Sequence, residues 1–177
     1  TNLKEVVLPD ILTRIYTGTF RDCHSLETIN MPSKLLQIEN EAFRSCNALK
    51  QIILPEKLQK IGEFSFAHCN ALEYVYIPAS VTSIHNRSFY NCKSLKQIEV
   101  AEGNQNYFTQ DGILYNNPVT DIILIPQMLT GDITIPEGIT TIDGSEFRDI
   151  EYIISITLPD SLVEIGTYGI FHCDGLK

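Results

Sequence analysis

An internal repeat of 23 residues constrains the fold of this chain more than any other feature. Four residue types recur at that interval through the first half of the chain, and repeats of this length are typical of solenoid folds. The recurring residues are Phe20, Phe43, Phe66 and Phe89; Cys23, Cys46, Cys69 and Cys92; Ile15, Ile38, Ile61 and Ile84; and Pro9, Pro32, Pro55 and Pro78. A single 23-residue unit cannot bury its own apolar face, so consecutive units must stack on one another.

The repeat divides the whole chain, residues 1–177, into one array of seven coils. The predicted coils span residues 3–25, 26–48, 49–71, 72–94, 95–129, 130–152 and 153–175. The fifth coil contains an insertion, which we place at residues 101–129. The array begins at Leu3 and stops just after Leu176 without the polar cap that terminal repeats need, so we expect a segment of a longer protein.

The pattern within one coil predicts its local structure. From Leu49 to Leu54 apolar residues occupy alternate positions, the period of a half-buried strand, and Pro55 ends that strand. A second short extended piece carries Leu58 and Ile61. Residues 62–71 suit one or two turns of helix, since Phe66 and Cys69 are three residues apart. We therefore expect a β-rich α/β fold, a right-handed solenoid of 23-residue coils with a parallel β-sheet.

This coil resembles the BspA-type leucine-rich repeat. The segment Leu49-KQIILPEKLQKIGEFSFAHCNA-Leu72 follows that family's order of L-x-x-I-x-L-P, then I-G-x-x-A-F, then C. The departures are few: Thr130 opens one coil, Ile150 replaces the cysteine and Ile170 replaces the phenylalanine. The resemblance implies a protein of bacteria or of parasitic protists, located at the cell surface or secreted, that takes part in adhesion and host-protein binding.

Charge and hydropathy exclude several classes of partner. The chain has a net charge of −9 and an isoelectric point near 4.8, which argues against nucleic-acid binding, because that requires a basic surface. No apolar run approaches the ~18 residues of a membrane span. The sequence therefore predicts no nucleic-acid partner and no membrane insertion in this segment.

The cysteine and histidine residues do not indicate a catalytic or metal site. Equivalent cysteines in stacked coils point in parallel, which suits neither disulfide geometry nor a tetrahedral metal ion. We predict a file of free, buried thiols. His24, His68 and His172 each neighbour a cysteine but occupy positions that are polar in other coils, which predicts solvated side chains. The sequence also lacks the common hydrolase, phosphate-binding and calcium-binding motifs, so we expect no enzyme activity, no metal and no cofactor.

The outward-facing strand positions are the best candidates for a binding site. Tyr74 and Tyr76 are predicted to lie on one face of the sheet beside residues of the flanking coils, and exposed aromatic and apolar groups are plausible anchors for a ligand. Two aromatic residues of the insertion belong to the same hypothesis, because loops on a rigid scaffold often carry function. The candidate ligand-binding residues are Gln51, Ile53, Tyr74, Tyr76, Gln97, Glu99, Tyr107 and Phe108.

The leading functional prediction is a non-catalytic protein-binding or adhesion module whose partner is a protein, such as a host surface or matrix protein. A carbohydrate-binding module that stacks sugars on exposed tyrosines is an alternative. A structural spacer is another, and an unrecognised carboxylate site would make the chain an enzyme. The sequence does not choose among these classes.

Overall fold

The computed structural model describes residues 2–143 and 146–177, and these residues wind into a solenoid. Strands that pair between successive coils are parallel and their partners lie 23 residues apart, as in Glu5 with Thr28 and Arg14 with Gln37. The same offset recurs near the end of the chain, where Phe147 pairs with Ile170. The predicted parallel solenoid and its coil length are therefore confirmed.

The first strand of each coil contributes to a front sheet, and the second strand to a side sheet. The front strands are β1 (Glu5–Val6), β3 (Thr28–Ile29), β5 (Gln51–Ile53), β7 (Tyr74–Ile77), β9 (Gln97–Val100), β13 (Gly131–Thr134) and β16 (Ile153–Thr157). The side strands are β2 (Arg14–Ile15), β4 (Gln37–Ile38), β6 (Lys60–Ile61), β8 (Ser83–Ile84), β14 (Thr141–Ile142) and β17 (Glu164–Ile165). β2, β4, β6 and β8 form one continuous ladder.

Turns close the third side of each coil, and the predicted helical turns are absent from the described residues. Phe64 and His68 have φ angles of 52° and 60°, and left-handed residues at this spacing interrupt a right-handed helix. The turns are joined between coils instead, since Phe43 N–H donates to Ser65 C=O at 2.7 Å and Ser45 N–H donates to Ala67 C=O at 2.8 Å. Two later turns contain β15 (Phe147–Arg148) and β18 (Ile170–Phe171), which pair with each other. Because no described residue is helical, no membrane-spanning helix is present among them.

Phenylalanine rings form a continuous file through the core of the first four coils. Consecutive rings from Phe20 to Phe89 stack with centroids 5.2 Å apart. Phe43 and Phe66 are completely buried. Equivalent positions in the sequence are thus equivalent positions in space, as the repeat predicts.

The cysteines are free, and three of the four buried thiols donate a hydrogen bond to the preceding coil. Cys46, Cys69 and Cys92 donate from Sγ to the carbonyl oxygens of Phe20, Phe43 and Phe66, at 3.2, 3.2 and 3.1 Å. Each acceptor belongs to the preceding coil. The cysteine side chains therefore fill apolar space in the core and also form weak hydrogen bonds between coils.

The stretched fifth coil carries a three-stranded antiparallel sheet. It consists of β10 (Tyr107–Gln110), β11 (Ile113–Asn116) and β12 (Ile122–Leu124). Asp111 and Gly112 join the first two strands with φ angles of 50° and 78°, which is the left-handed pair that a tight hairpin turn requires. β10 and β11 therefore form a hairpin.

Candidate ligand-binding face

Six of the eight candidate residues lie together on three adjacent strands of the front sheet. Tyr74 pairs with Gln51 on one side and Gln97 on the other. One step along the strands, Tyr76 pairs with Ile53 and Glu99. We call this six-residue set the tyrosine face: Gln51, Ile53, Tyr74, Tyr76, Gln97 and Glu99.

The backbone beneath the tyrosine face is firmly supported. On β5, β7 and β9 the side chains between the outward ones, Ile52, Val75 and Ile98, are 3 % exposed or less. Alternation in the strand thus directs one set of side chains into the core and the other set outward. The outward set cannot rotate away without pulling the inner set out of the core.

Glu99 fixes the conformation of two neighbours on this face. Its carboxylate accepts a hydrogen bond from the Tyr74 hydroxyl at 2.8 Å and another from Gln97 Nε2 at 2.6 Å. Partial burial, with the hydrogen bond to Glu99 and the charge of that carboxylate, raises the pKa of Tyr74 to about 12. The phenol therefore stays neutral and keeps donating to Glu99 at physiological pH.

Ile53 gives the tyrosine face its apolar character. Its side chain is 76 % exposed, although it belongs to a strand whose other isoleucine is buried. Tyr74 and Tyr76 beside it are half-buried, so their ring surfaces are only partly open to solvent. The result is a flat, mainly uncharged patch with Glu99 at one corner.

Charged residues border the tyrosine face on the side where each front strand begins. Lys4 pairs with Glu27 at 3.1 Å, and Lys96 pairs with Glu73 at 2.8 Å. Lys96 depresses the pKa of Glu73 through that hydrogen bond and its charge. Exposed pairs such as these favour the register of the coils but add little stability.

The two candidates in the insertion do not join this face. Tyr107 is buried, with its hydroxyl oxygen accepting a hydrogen bond from Ile84 N–H at 2.8 Å. Phe108 is half-buried and stacks on Tyr115 with ring centroids 5.5 Å apart. The expectation that Tyr107 is exposed to a ligand is wrong, because its ring and hydroxyl complete the edge of the side sheet.

The histidines and carboxylates form local pairs between coils. Asn91 Nδ2 lies 2.9 Å from His68 Nδ1, and His172 Nδ1 lies 3.1 Å from Asp149 Oδ1. Among the described residues no group of three or more His, Cys, Asp or Glu side chains has the arrangement of a metal site. Burial raises the pKa of Cys46 and of Cys92 to about 12, which disfavours the thiolate that nucleophilic catalysis needs.

A groove beside the tyrosine face is not evident from the repeat pattern. It lies between β3 and β5, and Ile29, Met31 and Ile53 are among the residues that line it. Residues 29 and 31 match the buried Ile52 and Leu54 of the next coil, so the pattern predicts buried side chains, whereas Ile29 and Met31 are half-exposed. One sequence difference at the groove is Asn30, where the adjacent coils have Val7 and Ile53.

The fold is shared with solved bacterial proteins. A leucine-rich cell surface protein of Faecalibacterium prausnitzii is 25 % identical with a TM-score of 0.67, over 99 % of this chain and 60 % of that protein. A leucine-rich repeat protein of Eubacterium ventriosum is 23 % identical with a TM-score of 0.79, over 99 % and 53 %. The pneumococcal vaccine antigen PcpA is 22 % identical with a TM-score of 0.74, over 96 % and 48 %. The chain thus spans roughly half the length of these structures.

The repeat itself gives the family. No curated protein sequence matches the chain. Six copies of the BspA type leucine-rich repeat region match residues 1–120 and 127–177, which is nearly the entire sequence. The recurring leucine, phenylalanine and cysteine positions of that repeat correspond in the structure to the stacked coils, the phenylalanine file and the thiol file. The chain therefore belongs to the BspA-type leucine-rich repeat family.

Proposed function

We propose that this chain is a non-catalytic module that binds a protein ligand through the tyrosine face. The observation that carries the proposal is the combination of an exposed Ile53 with two tyrosines on a flat, buried-backed sheet. Aromatic anchors surrounded by polar groups are the usual composition of binding hot spots. The corner carboxylate of Glu99 adds a polar group at the rim.

Rigidity supports a binding role. The tyrosine face is part of a hydrogen-bonded sheet, and Glu99 already holds Tyr74 and Gln97 in place. Binding to such a surface requires little further ordering of side chains, which lowers the entropic cost of association. A solenoid with this property needs no conformational change to engage a partner.

We infer a location at the cell surface or outside the cell. The family membership and the resemblance to a leucine-rich cell surface protein support this location. A host surface or matrix protein is accordingly the partner class that we propose. The absence of a catalytic motif in the sequence is consistent with a binding role.

Substitutions on the tyrosine face test the proposal. The purified chain is applied to a panel of extracellular-matrix proteins and, in parallel, to a glycan array. Tyr76→Ala and Ile53→Asp are each expected to weaken binding to a matrix protein at least tenfold, as is typical of hot-spot residues. Tyr16→Ala is the matched control, because Tyr16 is 63 % exposed but lies beyond β2 on the side sheet; its binding should equal that of the wild type.

Other outcomes would support the other functions. Binding to glycans alone, lost on Tyr76→Ala, would indicate a carbohydrate-binding module. Protein binding that neither Tyr76→Ala nor Ile53→Asp changes would contradict the proposed site. A chain that binds neither class of ligand would be better described as a spacer between other parts of a protein.

A further inference from the structure

The front sheet is interrupted between the second and third coils. β1 pairs with β3, and β5, β7 and β9 form a ladder, but among the described residues no backbone hydrogen bond joins β3 to β5. At the other boundaries among the first five coils, the residue after the leading leucine donates its N–H to the equivalent residue one coil earlier: Glu73 to Lys50 C=O at 3.0 Å, and Lys96 to Glu73 C=O at 3.0 Å. A second interruption, between β9 and β13, coincides with the antiparallel sheet of the fifth coil. The equivalent bond from Lys50 N–H to Glu27 C=O is not made.

The interruption is confined to the front sheet. On the side sheet the same two coils are paired, with Gln37 beside Lys60. On the turn side, Phe43 N–H reaches Ser65 C=O at 2.7 Å. The opening is therefore a groove in one face of the solenoid, and the two coils remain joined behind it.

On the front of the solenoid, side-chain hydrogen bonds join the second coil to the first. Asn30 Nδ2 donates to Leu8 C=O at 3.0 Å, and Leu8 N–H donates to Asn30 Oδ1 at 2.6 Å. Three residues further along the second coil, Ser33 Oγ donates to Asp10 Oδ2 at 2.8 Å. These bonds draw the end of β3 toward the first coil and leave its other edge without a partner.

The groove combines apolar walls with charged residues. Its apolar lining is Ile29, Met31, Ala48, Ile53, Pro55, Ala71 and Tyr74, and its charged lining is Glu27, Lys50, Glu56, Lys57 and Glu73. Glu27 is paired with Lys4 and Glu73 with Lys96, whereas among the described residues Lys50, Lys57 and Glu56 form no ion pair within 4.0 Å. The groove thus presents strand edges, an apolar surface and two unpaired lysines against one unpaired glutamate.

We propose that this groove binds an extended peptide segment of the protein partner, which adds a strand beside β5. An unpaired strand edge offers N–H and C=O groups in a fixed row, and an extended main chain is the ligand that complements such a row. An apolar side chain of the peptide contacts Ile29 and Met31, and an acidic side chain pairs with Lys50. This assignment rests on the proposed function and specifies the form in which the partner is recognised.

A second copy of this chain is a poorer occupant. Two copies each carry a net charge of −9, and like charges of that size oppose close association. A short peptide segment carries far less charge than a second copy, and it meets the local charges of the groove, where the unpaired Lys50 and Lys57 outnumber the unpaired Glu56. We therefore assign the groove to a peptide and treat self-association as a contrary result.

The proposal is tested in two steps. Peptides that bind the chain are first selected from a displayed library of short random peptides, and the role of the peptide's backbone N–H groups is then measured. Enriched peptides are expected to alternate apolar residues with at least one Asp or Glu. A synthetic enriched peptide should lose at least tenfold in affinity when alternate backbone nitrogens are methylated, because methylation removes the N–H donors. Lys50→Glu should cause a similar loss, whereas the matched control Lys60→Glu, on β6 of the side sheet, should leave affinity unchanged.

Three results would overturn the peptide assignment: no enriched peptide, equal affinity of the methylated peptide, or a doubled mass in light scattering that shows the groove closed by a second copy. Hydrogen exchange gives an independent check. The amides of β5 that face β3 should exchange faster than their counterparts in β7 and become protected when the enriched peptide is added.

The proposed function and this inference fail in different ways. If a matrix protein binds and Tyr76→Ala weakens it, but neither Lys50→Glu nor the peptide affects that binding, the tyrosine face stands and the groove assignment falls. If the peptide binds in the groove while face substitutions change no protein ligand, the reverse is true.

Discussion

At the scale of single residues, the cysteine column shows that one position meets two requirements. A thiol is small enough for the coil interior, and it donates to the phenylalanine carbonyl of the preceding coil at 3.1–3.2 Å in the second, third and fourth coils. Ile150 fills the same position with a larger apolar group and no donor, so apolar burial is the stricter requirement and neither the small size nor the hydrogen bond is essential. The repeat pattern predicts burial and free thiols correctly, but it carries no information about the acceptor.

The buried thiols should resist chemical modification. Burial raises the pKa of Cys46 and Cys92 to about 12 and also raises the pKa of Cys69, so almost no thiolate exists at about pH 8, where an exposed thiol is partly ionised. A chromogenic disulfide reagent should therefore modify these three residues slowly in the native protein and all five cysteines promptly in concentrated guanidinium. Rapid native labelling of Cys69, or a disulfide-linked pair found by mass spectrometry, would contradict the free, buried file.

The phenylalanine file predicts a strong dependence of stability on position. Phe66 is fully buried between two stacked rings, and its replacement by alanine should lower the free energy of unfolding by about 3–5 kcal/mol, because a cavity replaces the ring. Phe20→Ala is the matched comparison, since Phe20 is half-buried and stacks on one ring only among the described residues. Its cost should be clearly smaller in urea unfolding experiments. Equal costs would mean that burial does not decide the contribution of each ring.

At the scale of elements, strands were easier to predict than turns. The apolar residues Ile52 and Leu54, two positions apart and followed by Pro55, identify β5, because a strand places alternate residues on the same face. The three-residue spacing of Phe66 and Cys69 is compatible with a helical face and also with a turn. The prediction of helical turns there is wrong because the spacing alone does not distinguish the two. The decisive feature is the positive φ of Phe64 and His68, and in a single sequence those residue types give only a weak signal of it.

The burial of Tyr107 was not predicted because the fifth coil is stretched. Treated as part of an insertion, it looks like an exposed aromatic of a loop. Counted along the repeat, it is 23 residues after Ile84, so it occupies a core position. Its hydroxyl oxygen accepts the hydrogen bond from Ile84 N–H, in place of a backbone carbonyl of a further side strand. The repeat therefore continues further into the fifth coil than the insertion boundary at residue 101 suggested.

Removing that hydroxyl should destabilise the junction between the fourth coil and the antiparallel sheet. Tyr107→Phe leaves the buried N–H of Ile84 without its acceptor, which should cost about 1–3 kcal/mol. Tyr115→Phe is the matched control on the neighbouring strand, because the buried Tyr115 hydroxyl has no hydrogen-bond partner among the residues that the structure describes. Removal of this hydroxyl should be neutral or stabilising. Urea unfolding of the two variants distinguishes them, and equal effects would contradict the capping role of Tyr107.

At the scale of the whole molecule, the core is divided in two by the antiparallel sheet. Leu114 packs into the first cluster, which extends back to Ile15, while Ile113 and Tyr115 pack into the second, which reaches Ile153. Neighbouring residues of β11 thus face different cores, as alternation in a strand requires. The sequence predicts a single array of like coils, and it does not reveal this division because the repeat pattern is similar on both sides.

The two cores should open separately in native-state hydrogen exchange. In a solenoid each coil contacts only its neighbours, so a local defect propagates only as far as the coupling between units allows. Phe147 is fully buried in the second cluster. Phe147→Ala should therefore lower the opening free energy of the amides in β14 and β17 by about 3–5 kcal/mol, while that of β4 and β6 changes by less than about 1 kcal/mol. Phe66→Ala should produce the opposite pattern. If either substitution lowers protection equally along the entire chain, the antiparallel sheet couples the two cores into one cooperative unit, and the tyrosine face is formed only when all seven coils are folded.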